Sequence, residues 1–408
     1  MFARRTEWQL EPNALSREAE CRRQRGLPLL DLTESNPTRC GFVYDFAAIA
    51  AALAQPGILT YAPEPRGLLA ARQAVARYYA EHGVNIDPEQ IFLVASTSEA
   101  YSHLFRLLAD PGDVVLVPSP SYPLFEFLAG LNDVERVTYP LVYDSGWRID
   151  RDELAAIVER TSRGPHPARA LVVVHPNNPT GSFVDPGERE TLVALCRRFG
   201  LALIADEVFA DYGLEGYGTD GAAPHAGLDS VLTFTLSGLS KIAALPQMKL
   251  AWIVAGGPPD ALAAAMARLE IIADTYLSVS APVAGALAEL LATRRAIQPQ
   301  ICAQLRENLA ELDRLLDSEP GVVRLETEGG WYAILELSPA RDGGEGSSSE
   351  DWAVRLVREE GVLVHPGHFY DLAGDRHLVL SLLPPTDVFS EGVGKLLART
   401  RTHGRAFG

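Results

Sequence analysis

The sequence lacks the features that would indicate a membrane protein or a nucleic-acid-binding protein. Its longest apolar runs are broken by Gly, Pro or a charged residue well short of the roughly 18 residues that a membrane-spanning helix needs. The first residues, MFARRTEWQLEPN, have no apolar run after the arginines, so we expect no secretory signal. Acidic residues outnumber basic ones by 53 to 36, giving a formal net charge of -17, which argues against nucleic acid or an anionic membrane as a partner.

Cysteine is also scarce. The four cysteines, Cys21, Cys40, Cys196 and Cys302, have no metal-type spacing, so we predict no metal site. Few cysteines without a disulfide pattern are typical of a reducing compartment. We therefore expect a soluble, cytoplasmic protein.

The middle of the chain alternates strand-like and helical segments. Apolar strands such as IFLVAS, RALVVVH and LALIADEVF are separated by segments with helical periodicity. This alternation predicts an α/β fold, with a large domain whose mainly parallel sheet is covered by helices and a smaller α+β domain. We place the large domain at residues 41–285 and the small domain at 286–408, with the N-terminal segment 1–40 packing against the small domain.

One helix has clear start and stop signals. In VDPGERETLVALCRRFG, Asp185 suits an N-cap, Pro186 the first turn and Glu188 a capping box, and Gly200 suits the C-terminal end. We predict a helix between these signals.

Four polar clusters follow predicted strands, where ligands bind in open α/β sheets. They are Ser96, Thr97 and Ser98 in ASTSEA, Tyr122 in PSPSYP, Asn178 in HPNNPTG, and Asp206 in ADEVF. The hydroxyls of ASTSEA at a helix N-terminus would form an anion site, although plain helix capping is the commoner role. Taken singly, HPNNPTG is equally typical of a turn, and an isolated Tyr122 is more often a core residue. Asp206 could also be a helix cap or the partner of a nearby basic residue.

Lys241 lies in the largely apolar segment TLSGLSKIAALPQMKLAW and has the small residues Ser237, Gly238 and Ser240 as close neighbours in sequence. An amine that is desolvated in such a pocket can be neutral near pH 7 and form a Schiff base with a carbonyl group. A surface position is the commoner one for an isolated lysine. A second lysine, Lys249, follows in the same segment.

Taken in order, these clusters resemble a known family. The order Tyr61 to Gly67, Ser96-Thr97-Ser98, Tyr122, Asn178-Pro179-Thr180-Gly181, Asp206, Ser240-Lys241 and Lys249 resembles the fold-type I pyridoxal-phosphate-dependent aminotransferases of class I and II. The resemblance extends from DLTESNPT to HLVLSLL. It implies a transaminase that uses pyridoxal 5′-phosphate to exchange an amino group between an amino acid and a 2-oxo acid by a ping-pong mechanism.

The same fold leaves other functions open. It also carries C–S lyases, decarboxylases and oxidases or cyclases, because the site decides how the activated carbon reacts. It occurs as a sensor domain in transcription regulators as well. The acidic charge and the lack of an N-terminal helix-turn-helix extension count against that last function.

The resemblance also implies a role for each cluster. Lys241 would bind the cofactor as a Schiff base and then transfer the proton. Asp206 would pair with the pyridine nitrogen, Asn178 would donate to O3′, and Tyr122 would stack on the ring. The phosphate would be held by Ser96, Thr97, Ser98, Ser240 and Lys249. The partner subunit's Tyr61 would complete that set, so we expect a homodimer.

Three positions near the expected cofactor depart from the family pattern. Phe209 stands where a tyrosine commonly donates to O3′, and Lys249 stands where an arginine is common, which keeps the charge but loses the bidentate fork. Gly238 stands where a phosphate-binding serine is usual, so Ser237 or Ser240 would replace it.

A fourth departure concerns the substrate. The family's arginine for the substrate carboxylate is expected at Val379, and Arg376, three residues earlier, would point to the opposite face of a strand. Ser35 and Asn36 in ESNPT match positions near the substrate. We consider Arg39 a candidate replacement for the missing cation, although a surface position is the commoner one for such an arginine.

Overall fold

The computed structural model describes residues 1–61, 63–214, 224–277, 279–319, 321–338 and 348–405. Its strands are β1 Leu30–Asp31, β2 Ile91–Val94, β3 Val114–Ser119, β4 Glu135–Tyr143, β5 Trp147–Ile149, β6 Ala168–Val174, β7 Ala202–Asp206, β8 Thr233–Gly238, β9 Ala251–Gly256, β10 Val322–Arg324, β11 Tyr332–Leu337, β12 Val362–Leu363, β13 His365–Pro366 and β14 His377–Ser381. Its α-helices are α1 Ala14–Gln24, α2 Phe46–Leu53, α3 Leu69–Glu81, α4 Thr97–Leu108, α5 Phe125–Leu131, α6 Arg151–Ser162, α7 Pro186–Phe199, α8 Leu239–Ile242, α9 Pro259–Tyr276, α10 Ala281–Gly285, α11 Leu287–Ala292, α12 Arg294–Leu316, α13 Ser349–Arg355 and α14 Thr386–Arg405. Short 3₁₀ turns lie at Arg4–Thr6, Pro37–Arg39, Pro56–Leu59, Pro88–Gln90, Pro246–Met248 and Gly367–Tyr370, and a π-helical turn lies at Leu356–Glu360.

The large sheet has the strand order β2-β9-β8-β7-β6-β3-β4-β5 in the described residues. Its centre is parallel, from β4 through β3, β6 and β7 to β8. The outer strands run antiparallel, β9 against both β8 and β2, and β5 against β4. Strands β7 and β8 are buried along their whole length, which explains their nearly continuous apolar sequences. The predicted α/β fold with a mainly parallel sheet is confirmed.

A second, antiparallel sheet lies in the C-terminal part, with the order β10-β11-β14-β13. Helices α12 and α14 pack together against this sheet through Leu305, Leu312 and Leu396, which belong to its hydrophobic core. The N-terminal segment contacts the same region, because β1 pairs in parallel with β12 and Leu15 of α1 packs into the same core. The division into residues 1–40, 41–285 and 286–408 stays a prediction.

Helix α7 has the ends that its sequence predicts. The Asp185 carboxylate accepts from the backbone N–H of Glu188 at 2.8 Å, and the Glu188 carboxylate accepts from the N–H of Asp185 at 2.9 Å. Pro186 occupies the first turn, and Gly200 ends the helix in the left-handed region, at φ 68°. The predicted helix and its capping box are confirmed.

The parallel strands direct their carboxyl ends to one edge of the large sheet. Strands β3, β6, β7 and β8 end at Ser119, Val174, Asp206 and Gly238, so the residues that follow them gather at that edge. This arrangement brings together segments far apart in sequence. Among the helices of the described ranges, none is long and apolar enough to cross a membrane.

Candidate active site

Lys241 is positioned by the short connection between β8 and α8. Gly238 ends the strand so close to β9 that an added Cβ would lie 2.7 Å from the Cβ of Ala251. The chain then turns at once into α8, which carries Lys241. The hydroxyl of the buried Tyr212 donates to the Lys241 carbonyl oxygen at 2.7 Å and fixes this turn.

The amine of Lys241 lies among aromatic rings. Its Nζ is 4.6 Å from the centroid of the Trp331 ring and 5.3 Å from that of Phe209. Both rings are buried and meet edge to face at 5.2 Å. Burial lowers the pKa of Lys241 to about 8, and the nearby Asp206 carboxylate opposes that shift. The amine therefore titrates close to neutral pH.

Asp206 lies at the end of β7 and is buried. Its Oδ2 accepts from the Tyr101 hydroxyl at 3.0 Å, and its Oδ1 accepts from the backbone N–H of Val208 at 3.2 Å. Burial raises the pKa of Asp206 to about 6, while these two donors and the charge of Lys241 lower it. The structure thus brings an acid and an amine within electrostatic reach of each other.

The turn after β6 carries two asparagines with different surroundings. Asn177 is fully engaged, because its amide donates to the Pro120 carbonyl at 3.0 Å and to the Thr180 hydroxyl at 2.9 Å. The Asn178 side chain is also buried, yet its Oδ1 has no hydrogen-bond partner among the described residues. A buried amide of this kind is able to bind a polar ligand group.

The first turn of α4 contains the predicted anion site. Ser96 is the N-cap and accepts from the backbone N–H of Glu99 at 3.1 Å. The Glu99 carboxylate reaches back to the N–H of Ala95 at 2.7 Å. Thr97 and Ser98 occupy the first two helical positions and are partly exposed. Their backbone amides lie at the positive end of the helix dipole.

The segment around Lys241 contains the other predicted phosphate ligands. Ser240 is partly exposed, and Lys249 is exposed and ends a 3₁₀ turn in the left-handed region, at φ 51°. Ser237 is buried, and its hydroxyl donates to the Glu207 carbonyl at 3.5 Å. Of the two serines offered as a replacement at Gly238, Ser240 is therefore the more accessible.

Three tyrosines form a group that extends outward from the Phe209 ring and Asp206. The ring of Tyr332 is 6.4 Å from that of Phe209 and 6.3 Å from that of Tyr370. Tyr122 is partly exposed, and burial raises its pKa to about 12, with smaller contributions from Tyr332 and Asp206. Burial raises the pKa of the Tyr332 phenol, and the nearby side chain of Ser35 opposes that shift. This proximity connects the N-terminal segment to the same region.

Two C-terminal positions, Val379 and Arg376, were considered for a cation that binds the substrate carboxylate. Val379 is buried and pairs with Ile334 in the small sheet. Arg376 forms an ion pair with Glu336 at 3.0 Å.

The segment before Arg39 is held by local contacts. The Arg39 side chain is 73% exposed, with Glu34 3.8 Å away. Asn36 caps the turn that follows it, accepting from the Thr38 N–H at 3.1 Å. Within the described ranges, Arg39 has no contact with the cluster around Lys241, so its role stays a prediction without structural support.

Tyr61 is exposed to solvent. Its side chain is 75% exposed, and Leu59, Leu68 and Leu69, which are close to it in sequence, are exposed as well. It makes no described contact with Lys241 or Asp206 within its own chain, and its expected role depends on a second subunit.

Sequence reasoning missed several residues of this cluster. Tyr101 has the helical spacing of a core residue, and its hydroxyl bonds to Asp206 across 105 positions. Trp331 and Tyr332 sit at the start of a strand that has no motif of its own. A phenol on the apolar face of a helix was the available signal for Tyr101, but that signal does not name the partner.

Comparisons with known proteins agree on one family. The profile of aminotransferase class I and II matches residues 29–384. The chain is 26% identical over 380 residues to the glutamate-pyruvate aminotransferase AlaA of Haemophilus influenzae, covering 91% of each. It is 28% identical over 339 residues to the arginine-pyruvate transaminase AruH of Pseudomonas aeruginosa, covering 79% of this chain and 78% of that one.

Solved structures give the same fold. An alanine aminotransferase from Pyrococcus furiosus has a TM-score of 0.86 at 22% identity, and it covers 98% of this chain and all of its own. An aminotransferase from Escherichia coli has a TM-score of 0.84 at 24% identity, covering 98% of both chains.

Proposed function

Because the chain belongs to the aminotransferase class I and II family and is an aminotransferase, we propose that Lys241 and Asp206 are the centre of a pyridoxal-5′-phosphate-dependent transamination site. The amino group would pass from an amino acid to a 2-oxo acid in two half-reactions. The relatives are named as glutamate-pyruvate, arginine-pyruvate and alanine aminotransferases, and these names support substrates of these classes.

The described residues fit this cofactor. The N-terminus of α4 suits a phosphate group, to which Ser240 would add a hydroxyl and Lys249 a positive charge. Asn178, which is buried, would donate from its Nδ2 to the ring oxygen O3′. Tyr122 offers a partly exposed ring for stacking.

The observation that carries the proposal is the pairing of a buried acid with a partly neutral amine. When bound, the cofactor withdraws electrons from the substrate carbon that bears the amino group. Asp206 would hold the protonated ring nitrogen, since a buried carboxylate favours a nearby positive charge. Lys241, with its pKa lowered to about 8, would hold the cofactor covalently and then move the proton from that carbon.

A trapping experiment tests the covalent role of Lys241. The chain contains three lysines, Lys241, Lys249 and Lys395, so borohydride reduction of the cofactor-loaded enzyme followed by peptide mass analysis has three possible outcomes. We expect the label on Lys241. Lys241→Ala should abolish trapping, while Lys395→Ala, which removes a surface ion pair to Glu391, should retain it. Label on another lysine would refute the assignment.

A single half-reaction tests the activity. The loaded enzyme is mixed with one amino acid at a time, without an acceptor, and the 2-oxo acid and the cofactor spectrum are followed. We expect one equivalent of 2-oxo acid per subunit and no ammonia. Ammonia together with pyruvate from cysteine would instead indicate a C–S lyase.

We also propose a cytoplasmic homodimer. The exposed Tyr61 and its apolar neighbours Leu59, Leu68 and Leu69 support an interface in which the partner subunit's Tyr61 reaches the phosphate. Sedimentation analysis should give a dimer. Mixing a Tyr61→Ala chain with a Lys241→Ala chain should restore one functional site per heterodimer, because each site would draw on both subunits.

A further inference from the structure

Tyr101 lies directly behind the acid of the proposed site. Its side chain is 1% exposed, and its hydroxyl donates to Asp206 Oδ2 at 3.0 Å. The other carboxylate oxygen accepts from the Val208 N–H at 3.2 Å. Among the described residues, Tyr101 is thus the side chain whose hydrogen bond fixes the orientation of this carboxylate.

The phenol itself is held in place by packing. Its ring meets Phe125 edge to face, at 5.3 Å and 88°, and lies 5.8 Å from Phe105. All three rings belong to one hydrophobic core on the large sheet. Because these rings confine the phenol, its hydroxyl has a fixed direction, and Asp206 receives the bond without a further loss of side-chain entropy.

The charges around Asp206 oppose one another. Glu207, next in the chain, raises the pKa of Asp206, whereas Lys241 and the Tyr101 hydroxyl lower it. Tyr122 is a further titratable group within electrostatic reach, and it is neutral at physiological pH. A donor to the charged form is what keeps a desolvated carboxylate ionised.

Helix α4 carries both Tyr101 and the predicted phosphate site. Ser96 to Ser98 form its N-terminus, and Tyr101 lies one turn further along. One rigid element thus contacts the phosphate site at its end and Asp206 through its side.

We propose that Tyr101 is a positioning residue that keeps the Asp206 carboxylate ionised and directed at the ring nitrogen of pyridoxal 5′-phosphate. This inference rests on the proposed function. It makes α4 the element that sets the distance between the predicted phosphate site and the carboxylate that faces the ring nitrogen.

The test compares two ligands and two variants of the enzyme without cofactor. The ligands are pyridoxal 5′-phosphate and its carbon analogue, in which C–H replaces the ring nitrogen. Tyr101→Phe should weaken binding of pyridoxal 5′-phosphate by about tenfold, the size expected for a hydrogen bond to a charged group, and change binding of the carbon analogue by less than about twofold. Tyr139→Phe is the control, because that buried phenol donates to the Val172 carbonyl at 2.8 Å, and it should change neither affinity.

Equal losses for both ligands in Tyr101→Phe, or no loss for pyridoxal 5′-phosphate, would overturn the proposal. A second readout is the titration of the Asp206 carboxyl by isotope-edited NMR in the same cofactor-free proteins. Its midpoint should rise in Tyr101→Phe and stay unchanged in Tyr139→Phe.

A fluorinated tyrosine at position 101 keeps the ring and makes the phenol a stronger donor, so it should lower the same midpoint. The fluorotyrosine experiment tests the proposal even if Tyr101→Phe does not fold, and an unchanged midpoint would count against the proposal. The carboxyl titration also separates the two hypotheses. If the wild-type protein fails to bind pyridoxal 5′-phosphate, the proposed function is refuted. The effect of Tyr101 on the titration midpoint of Asp206 would still be measured.

Discussion

The hydroxyl of Tyr212 donates to the backbone carbonyl oxygen of Lys241 at 2.7 Å. That carbonyl also accepts from the Ala244 N–H at 3.1 Å, and the ring of Tyr212 meets Trp331 edge to face at 5.1 Å. The residue thus supports both the turn that carries the amine and the aromatic ring beside that amine.

Tyr212→Phe should therefore affect both stability and catalysis. It removes the hydrogen bond and keeps the ring, so we expect the free energy of unfolding to fall by about 1 kcal/mol. We expect kcat to fall by about threefold to tenfold, because the amine is held less firmly, with KM unchanged. Tyr44→Phe removes a similar bond, to the Ala244 carbonyl at 2.9 Å, and should lower stability alone. Identical kcat values for the two variants would contradict the positioning role of Tyr212.

The environment of Lys241 predicts the pH dependence of its reaction with aldehydes. The neutral amine is the reactive form, and burial lowers its pKa from 10.5 to about 8. In the protein without cofactor, the rate of covalent capture should rise with pH through a midpoint near 8. Asp206→Asn removes the carboxylate that raises this pKa, so its midpoint should lie at a lower pH. Stopped-flow absorbance over a pH series measures both, and a wild-type midpoint near 10 would show that the amine is solvated.

The close packing at Gly238 predicts that introducing the serine that is usual in the family destabilises the protein. An added Cβ would lie 2.7 Å from the Cβ of Ala251 and 3.1 Å from the Leu250 carbonyl oxygen, so strands β8 and β9 would have to separate. We expect Gly238→Ser to lower the free energy of unfolding by about 1–3 kcal/mol, measured by denaturant titration. Gly285→Ser is the control, since nothing lies within 4 Å of a Cβ there. If the two variants are equally stable, strands β8 and β9 separate with little loss of folding free energy.

The sequence allowed the sheet and part of the site to be predicted for a physical reason. Apolar strands followed by a polar residue mark the carboxyl edge of a parallel sheet, and this pattern selected Tyr122, Asn178 and Asp206. Lys241 was conspicuous because an amine is rare in such an apolar segment.

The residues that hold these side chains in place could not be predicted from the sequence. Tyr101 occupies a helix position that is typical of core, and nothing local distinguishes a phenol that fills space from one that donates to a carboxylate 105 positions away. Ser35 and Tyr332 likewise meet only after the N-terminal segment has folded onto the C-terminal sheet. Gly238 departs from the family pattern because β9 passes too close for a side chain, which is visible only in three dimensions.

The proximity of Ser35 and Tyr332 predicts how the substrate carboxylate is held where Val379 replaces the expected arginine. Both hydroxyls lie beside the rings around Lys241, so they are placed to donate to a carboxylate. We expect Tyr332→Phe to raise KM for the amino acid by about tenfold, the loss of one hydrogen bond to a charged group, with a smaller change in kcat. Steady-state kinetics with the best donor of the half-reaction panel measures this.

Two controls decide between this account and the arginine alternative. Tyr143→Phe removes a phenol that accepts from the Glu326 N–H at 3.0 Å, and it should leave KM unchanged. Arg39→Ala removes a side chain that is 73% exposed and lies 3.8 Å from Glu34, and it should change KM by less than about twofold, since exposed ion pairs contribute little. A large rise in KM for Arg39→Ala, with none for Tyr332→Phe, would show that the N-terminal segment closes over the substrate and delivers the guanidinium to the carboxylate.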